Sequence, residues 1–300
     1  PAIIGRPIAG LEMASNFLCQ VVRGNSASRS AVEMAILDLL GRRLGVSSVH
    51  LLGGACCTEI PVAWTLSTGS VEEDISEGER AYLTRGHRRF KVKLGRKDVA
   101  DDVARVVSII EAFRGRAGVI ADVNQGWDEV TALRYLPVLQ EAGLEAIEQP
   151  LPSHDIEGIL RVRNRLSIEV IADEVLTDSA SAFLVARSGA ASAFSLKPNR
   201  DGGATNTKRL AAIAHAGGIK LYGGTALETS IGTAASALIF SSIPELHLGS
   251  ELFGPLRLAD DLVKKPIKIL EGLLQLPTGV GLGVELDEER VSSLVARRRT

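Results

Sequence analysis

Cysteine is scarce in this sequence, which has three cysteines in 300 residues, Cys19, Cys56 and Cys57. Two of them are adjacent, and adjacent cysteines rarely bridge because a disulfide requires a defined separation and torsion. Three thiols in this arrangement form neither a disulfide framework nor a zinc cage. We therefore expect reduced thiols and a cytoplasmic protein.

Long apolar runs and strong charge are also lacking. No stretch of about 18 residues is free of charges and turn residues, and the start of the chain lacks the layout of a signal peptide. The formal net charge is -2 at pH 7, and basic residues cluster only briefly, at 88–89 and 297–299. These absences argue against nucleic-acid and membrane partners and favour a small-molecule ligand.

The sequence does contain a repeat. Hydrophobic residues make up 45% of the chain, enough for a large core. Short apolar runs rich in β-branched residues recur at 60–65, 90–94, 118–123, 144–148, 168–173, 193–197 and 219–222, with a weaker run at 246–248. The centres of the second to seventh runs are 24 to 28 residues apart. This period is typical of a β-strand followed by a helix and two turns.

Amphipathic segments with helical spacing lie between these runs, at 102–113, 132–142, 156–165, 179–188 and 206–216. Strands that are apolar on both faces, each followed by a helix, indicate a parallel sheet. Eight such units predict closure of the sheet into a (β/α) barrel, an α/β fold. A doubly wound open sheet is the alternative.

Two flanking segments do not follow the repeat. Residues 1–58 contain a strong amphipathic helix at 30–44, and residues 266–300 contain a strand and a Gly-rich loop. We predict that residues 59–265 form the barrel, and that the flanks belong to a second, smaller lobe. The chain starts at Pro1 without a methionine, so we expect an earlier part of this lobe to be missing.

Three of the apolar runs end in an acidic residue, Asp122, Glu148 and Asp173. Because the active site of such a barrel forms at the C-terminal ends of its strands, three adjacent strands would deliver one carboxylate each to one mouth. Clustered carboxylates repel and raise one another's pKa unless a cation neutralises them, and oxygen ligands suit Mg²⁺ or Mn²⁺. The alternative is that each acid caps a helix or pairs at the surface.

Lysines end two further runs. Lys91 and Lys93 alternate along one strand and so point to the same face, and Lys197 ends the sixth run. Two neighbouring ammonium groups depress each other's pKa, which suits one of them to proton transfer near neutral pH. Lysines on both sides of a carboxylate bound to a metal predict proton transfer α to that carboxylate. A Schiff-base role for Lys197, or an exposed strand for the K-x-K, is the alternative.

The last strand ends supply weaker signals. Gly224 and Thr225 follow the seventh run, where glycine lets backbone N–H groups approach an anionic ligand. Glu251 follows the eighth run and could bond a substrate oxygen or tune a lysine. We predict Asn124, Gly224 and Thr225 as substrate contacts.

These motifs together resemble the muconate-lactonizing subgroup of the enolase superfamily over nearly the whole chain. They are K-V-K at 91–93, D-V-N at 122–124, E-Q-P at 148–150, A-D-E at 172–174, L-K at 196–197 and G-S-E-L-F-G-P at 249–255. The stretches 63–66, 223–228 and 251–255 are similar to those of the muconate and chloromuconate cycloisomerases.

The resemblance implies an isomerase that converts cis,cis-muconate or chloromuconate, a small dicarboxylate, to a lactone in catechol catabolism (the β-ketoadipate pathway). It implies Mn²⁺ or Mg²⁺ on Asp122, Glu148 and Asp173, with Lys93 as the acid/base. Lys91 would then assist electrostatically, with Lys197 on the opposite face and Glu251 close by. It also implies a homo-octamer, and a modified TIM barrel of the (β/α)7β type with a partial N-terminal capping domain.

Some positions depart from the family pattern. Val175 stands where serine usually follows A-D-E, and Pro198 follows the lysine where proline is unusual. The D-x-D of dipeptide epimerases is absent at 250–252. Another enolate reaction, such as o-succinylbenzoate synthesis, racemisation or dipeptide epimerisation, and a non-catalytic binding barrel remain the alternatives.

Overall fold

The computed structural model describes residues 3–8, 10–95 and 98–297. The helices are α1 (Leu11–Val21), α2 (Ser26–Leu44), α3 (Ser48–Leu51), α4 (Val71–Arg85), α5 (Val99–Phe113), α6 (Glu129–Ala142), α7 (Ile156–Arg163), α8 (Ser179–Ser188), α9 (Pro198–Asp201), α10 (Ala204–Ala216), α11 (Ser230–Ser241), α12 (Gly254–Arg257) and α13 (Glu288–Arg297). The strands are β1 (Glu59–Pro61), β2 (Trp64–Leu66), β3 (Arg89–Lys93), β4 (Gly118–Asp122), β5 (Ala146–Glu148), β6 (Glu169–Ala172), β7 (Ala193–Leu196), β8 (Lys220–Gly223), β9 (Ile269–Leu270) and β10 (Leu273–Gln275).

Seven parallel strands form the main sheet, in the chain order β2 to β8. Their order has no reversal, so the doubly wound alternative is wrong and the predicted barrel class is confirmed. The eighth strand, predicted at 246–248, is reduced to residues 248–251. There Ser250 bridges both Val62 and Gly223. This short segment joins the two edges of the sheet, because Ser250 N donates to Pro61 O at 2.8 Å while Glu251 N donates to Gly223 O at 2.8 Å.

The first predicted strand, at 60–65, divides into two. β1 pairs antiparallel with β10, which pairs with β9, and this small sheet lies outside the barrel. β2 then enters the barrel beside β3. The chain changes sheets where Val62 N donates to Gly272 O and Ala63 N donates to Ser250 O.

The barrel helices start and stop at residues suited to those positions. Asp98, Asp128, Asp155 and Asp178 each accept a backbone N–H of the helix that follows, and Gly86, Gly143 and Gly189 end helices with positive φ angles. The apolar strand residues split into an inner layer, which includes Ile120, Ile171 and Tyr222, and an outer layer that packs against the helices. The core is therefore a barrel filled by side chains.

The flanking segments contact the barrel. Glu33 on α2 is buried, and its Oε1 accepts from Thr205 N and Thr205 Oγ1 at 2.7 Å. The division into lobes at 58 and 265 stays a prediction. Pro1 and most of the 297–299 basic patch lie outside the described residues. No helix in the described part of the chain is long and apolar enough to cross a bilayer.

Candidate active site

The sequence-predicted acids and lysines meet at the C-terminal ends of neighbouring strands. In the parallel register Lys93 is opposite Asp122, and Asp122 is opposite Glu148. Asp173 follows β6 directly and Lys197 follows β7 directly. β3 and β7 are four strands apart in the sheet, so the two lysines face the acids from opposite sides of the mouth.

Lys91 lies at the centre of the acidic cluster. Its Nζ is 2.9 Å from Asp122 Oδ2, 2.8 Å from Glu148 Oε2 and 2.7 Å from Glu251 Oε1. Burial would lower the pKa of Lys91, but the three carboxylates outweigh it and hold the pKa well above its usual value. The expectation that neighbouring ammonium groups depress each other's pKa is therefore wrong for Lys91, which remains a fixed positive charge.

Lys93 is the more accessible lysine of the K-x-K pair. Its side chain is 32% exposed, against 1% for Lys91. Lys93 Nζ donates to Asp122 Oδ2 at 2.6 Å and to Asn124 Oδ1 at 2.8 Å. Asn124 also donates from Nδ2 to Glu174 Oε1 at 3.0 Å. The position of the Lys93 ammonium group, at the solvent side of the acids, suits contact with a bound ligand.

Lys197 and Arg200 hold Asp173 from two directions. Lys197 Nζ is 2.6 Å from Asp173 Oδ2, and Arg200 Nη1 contacts Asp173 Oδ1. Although burial would raise the pKa of Asp173, these two cations lower it. Arg200 Nη2 in turn bonds Asp201 Oδ1 at 2.7 Å and Ser195 O at 2.6 Å. The Asp173 carboxylate is thus oriented by a network that spans β6, β7 and α9.

Glu148 differs electrostatically from the other two acids. Burial first, and then the charges of Asp122, Asp173 and Glu251, raise the pKa of Glu148 well above its usual value. For Asp122 the lysines outweigh burial and lower the pKa. Among the three acids, the neighbouring carboxylates therefore raise the pKa only of Glu148, because lysine and arginine neutralise the other two.

The donor set fits a divalent cation. Both carboxylate oxygens of Glu148 are buried without a hydrogen-bond partner in the described part of the chain, since Lys91 approaches only as an ion pair. Ammonium groups lie against Asp122 and Asp173. Among residues 3–8, 10–95 and 98–297, no group of three His, Cys, Asp or Glu side chains is placed to hold a metal ion. Carboxylate oxygens that make no hydrogen bond and lie beside two more carboxylates suit a hard cation. The metal role of the three acids stays a prediction.

The glycine segment after β8 has a packing role. A Cβ on Gly224 would lie 2.5 Å from Lys197 Cε and 2.7 Å from Ser195 Oγ, so only glycine fits there. Gly224 N donates to Leu196 O at 2.9 Å, and the Thr225 hydroxyl bonds Glu228. The backbone N–H of Gly224 is therefore engaged in the barrel, contrary to the expectation that it would face an anion.

A cavity of about 340 Å³ opens beside these groups. Lys93, Asn124, Leu227, Phe253 and Arg257 contribute to its wall. A larger cavity of about 1090 Å³ lies elsewhere, between α2, α11 and residues 282–289. The smaller cavity is the better ligand site, because Lys93, which is hydrogen-bonded to Asp122, lines it.

The two departures from the family pattern are accommodated locally. Val175 is buried, and its N–H donates to Gln149 Oε1 at 3.2 Å. Pro198 is the first residue of α9, where its missing N–H costs nothing. No role was predicted from the sequence for Arg200, or for Gln149, which also accepts from Asp173 N at 3.0 Å. A signal for Arg200 existed, since Arg200-Asp201 is a charged pair just beyond a strand that ends in lysine.

Comparison with known proteins places the chain in a family. Residues 74–290 match the model "Enolase C-terminal domain-like", and residues 1–53 match "Mandelate racemase / muconate lactonizing enzyme, N-terminal domain". The chain is 42% identical over 291 residues to a chloromuconate cycloisomerase of Pseudomonas sp. (strain P51), covering 97% of this chain and 79% of the relative. It is 41% identical over 297 residues to muconate cycloisomerase 1 of Pseudomonas putida, covering 99% and 79%.

Solved structures of related proteins support the same family. The muconate lactonizing enzyme of Pseudomonas fluorescens complexed with muconolactone superposes with a TM-score of 0.92 at 42% identity, covering 94% of this chain and 76% of that one. The Pseudomonas putida muconate lactonizing enzyme gives a TM-score of 0.95 at 41% identity, covering 98% and 82%. The chain therefore belongs to the muconate and chloromuconate cycloisomerase family of the enolase superfamily.

Proposed function

We propose that this protein is a cycloisomerase that interconverts cis,cis-muconate or a chloromuconate with the corresponding muconolactone, in catechol catabolism. The observation that carries the proposal is the meeting of Lys93, Lys197 and three carboxylates at one barrel mouth, in a chain 42% identical to a chloromuconate cycloisomerase. The substrate is a small dicarboxylate.

Lys93 is the proposed acid/base. In lactone formation one carboxylate of the substrate adds to the double bond conjugated to the other, which becomes an enolate. Lys93 Nζ then donates its proton to the α-carbon of that enolate, and the reverse reaction returns the proton to Lys93. Asp122 and Asn124, both hydrogen-bonded to Nζ, orient the ammonium group.

Lys91, Lys197 and Glu251 set the field around the reacting atoms. Lys91 is buried, the surrounding carboxylates raise its pKa, and Glu251, 2.7 Å from its Nζ, fixes its position. Lys197 places a second charge on the opposite side of the mouth. Fixed cations that need no reorganisation stabilise negative charge developing on the substrate carboxylate.

Asp122, Glu148 and Asp173 would hold the family's divalent cation, which we propose to be Mn²⁺ or Mg²⁺. When bound, this ion would supply positive charge next to the oxygens of the enolate. The buried oxygens of Glu148, which make no hydrogen bond in the described part of the chain, support the assignment. A homo-octamer and a cytoplasmic location remain predictions from the family resemblance and the cysteine usage.

The decisive variant is Lys93→Ala. We expect lactone formation from cis,cis-muconate, followed by ultraviolet absorbance, to fall about a hundredfold or more, because a positioned acid/base contributes roughly 10²–10⁴ in rate. Lys220→Ala is the matched control, since Lys220 lies on β8 and pairs with Glu169 away from the mouth. Turnover retained by Lys93→Ala, with intact folding, would rule out the assigned role. Parallel assays with chlorinated muconates identify the preferred substrate.

A further inference from the structure

Two cationic side chains face the same small cavity. Lys93 lies on one wall of the 340 Å³ space, and Arg257, the last residue of α12, lies on another. Leu227 and Phe253 supply apolar surface between polar groups. The mechanism above uses Lys93 and leaves Arg257 without a role.

The Arg257 guanidinium is held in place by two neighbours. It lies over the Trp64 ring, 5.6 Å from the centroid, and its Nη1 pairs with Glu77 Oε1. The Trp64 indole Nε1 donates to the same Glu77 oxygen at 2.8 Å. Stacking and pairing together restrict the guanidinium plane, so less freedom is lost when it binds a ligand.

One edge of the guanidinium remains available. In the described part of the chain no protein acceptor bonds Arg257 Nε or Nη2, and the side chain is 38% exposed. These two N–H groups form the parallel pair of donors that matches a carboxylate bidentately. Glu77, with a side chain only 10% exposed, pairs with Nη1 and leaves Nε and Nη2 unbonded.

We propose that Arg257 is a specificity-determining residue that binds the substrate carboxylate remote from the Lys197 and Asp173 side of the mouth. The inference rests on the proposed function, because it assigns the second carboxylate of that dicarboxylate substrate. Arg257 thus distinguishes a dicarboxylate from a monocarboxylate of the same length, since the free N–H edge of the guanidinium gains nothing from a methyl group.

The test compares adipate with hexanoate, two unreactive six-carbon acids, by titration calorimetry in buffer containing Mn²⁺. Arg257→Met keeps an unbranched apolar stem near Trp64 and removes the donors. We expect wild-type protein to prefer adipate, and Arg257→Met to lose about tenfold or more in adipate affinity with hexanoate affinity unchanged. The same variant should raise KM for muconate and leave kcat nearly constant.

Arg85→Met is the matched control, because Arg85 also lies over Trp64, 4.7 Å from its centroid, but does not line the cavity. It should keep the preference for adipate. The double variant Glu77→Gln with Arg257→Met removes the uncompensated Glu77 charge and should match Arg257→Met in binding. An undiminished preference for adipate in both folded Arg257 variants overturns the inference.

The two proposals fail in different ways. If wild-type protein forms lactone and Arg257→Met has an unchanged KM, the recognition role is overturned while the reaction stands. If no lactone forms although the adipate preference depends on Arg257, the proposed reaction is overturned, and Arg257 keeps its role as a carboxylate receptor.

Discussion

At the scale of single residues, His87 shows how burial alters a titrating group. His87 is fully buried, its Nδ1 lies 2.7 Å from Val62 O, and Nε2 has no partner among the described residues. Burial lowers the pKa of His87 below 6.5, with smaller effects from Arg85 and Arg88. The folded protein therefore keeps this ring neutral where the unfolded chain would protonate it.

The expected consequence is a loss of stability in mild acid. Because the unfolded state binds the proton more readily, the contribution of His87 to the free energy of unfolding is complete above about pH 6.5 and declines as the pH falls below it. Urea unfolding at pH 7.5 and pH 5.5 measures this change in the free energy of unfolding. His87→Gln should flatten this dependence, whereas His50→Gln, at an exposed site, should not. Equal slopes in all three proteins would contradict the assignment.

Most residues of the candidate site were predictable from sequence, for a simple reason. Acids and lysines that end apolar runs at a constant period must point into one barrel mouth, so Asp122, Glu148 and Lys197 needed only spacing. Ionisation states were not predictable, because they depend on distances between strands. Lys91 is the example, since only its three close carboxylates reveal a raised rather than a lowered pKa.

At the scale of helices and strands, capping is the clearest link between sequence and stability. Asp178 accepts from Ser181 N at 2.8 Å, and Ser181 Oγ accepts from Asp178 N at 3.0 Å, which completes a capping box at the start of α8. α8 is also the barrel helix whose bounds the sequence predicted without error, residues 179–188. The capping box at Asp178 and the glycine at Gly189 mark the two ends of this helix in the sequence.

Removing this cap should cost a measurable part of the stability. We expect Asp178→Ala to lower the free energy of unfolding by about 1 kcal/mol, because the first turn of α8 loses the side-chain acceptor of its Ser181 N–H. Differential scanning calorimetry should show the midpoint falling by roughly 2–4 °C. Asp178→Asn, which retains an acceptor, should stay close to wild type. An equally large fall of the midpoint in Asp178→Asn would show that the loss comes from the charge of Asp178 rather than from capping.

Elements without a local signal were missed. α11 is buried along almost its whole length, so it lacks the polar face that produces a helical period. α4 is polar and Glu-rich, and its few core residues make a weak pattern. The eighth strand was misplaced by about two residues, because a segment held by single bridges on both sides has no strand-length apolar run.

At the scale of the whole molecule, the barrel gathers charge from distant parts of the chain. Lys91, Asp122, Glu148 and Glu251 lie within one ion-pair cluster although 160 residues separate the first from the last. Clustered carboxylates in a buried site are costly unless cations compensate them. A divalent cation on the acids would therefore stabilise the whole fold as well as serve the reaction.

Metal binding should accordingly raise the unfolding temperature. Mn²⁺ at about 100 times its Kd stabilises by about 2.7 kcal/mol, which corresponds to several degrees, and a chelator should reverse both this gain and the lactone formation. Glu148→Gln should lose most of the shift. Glu145→Gln, near the opposite end of the same strand and paired with Arg89, should keep it. A shift of equal size in Glu148→Gln would exclude Glu148 as a ligand.

The sequence by itself determined the period, the barrel class, the acids and lysines at the strand ends, and the family, because these depend on the order and spacing of residues. The tertiary structure decided what depends on distances across the barrel. It placed Lys91 among three carboxylates, engaged the Gly224 N–H within the barrel, and brought Arg257 to the cavity of Lys93. Such contacts join residues from strands and loops far apart in the chain, so no local pattern records them.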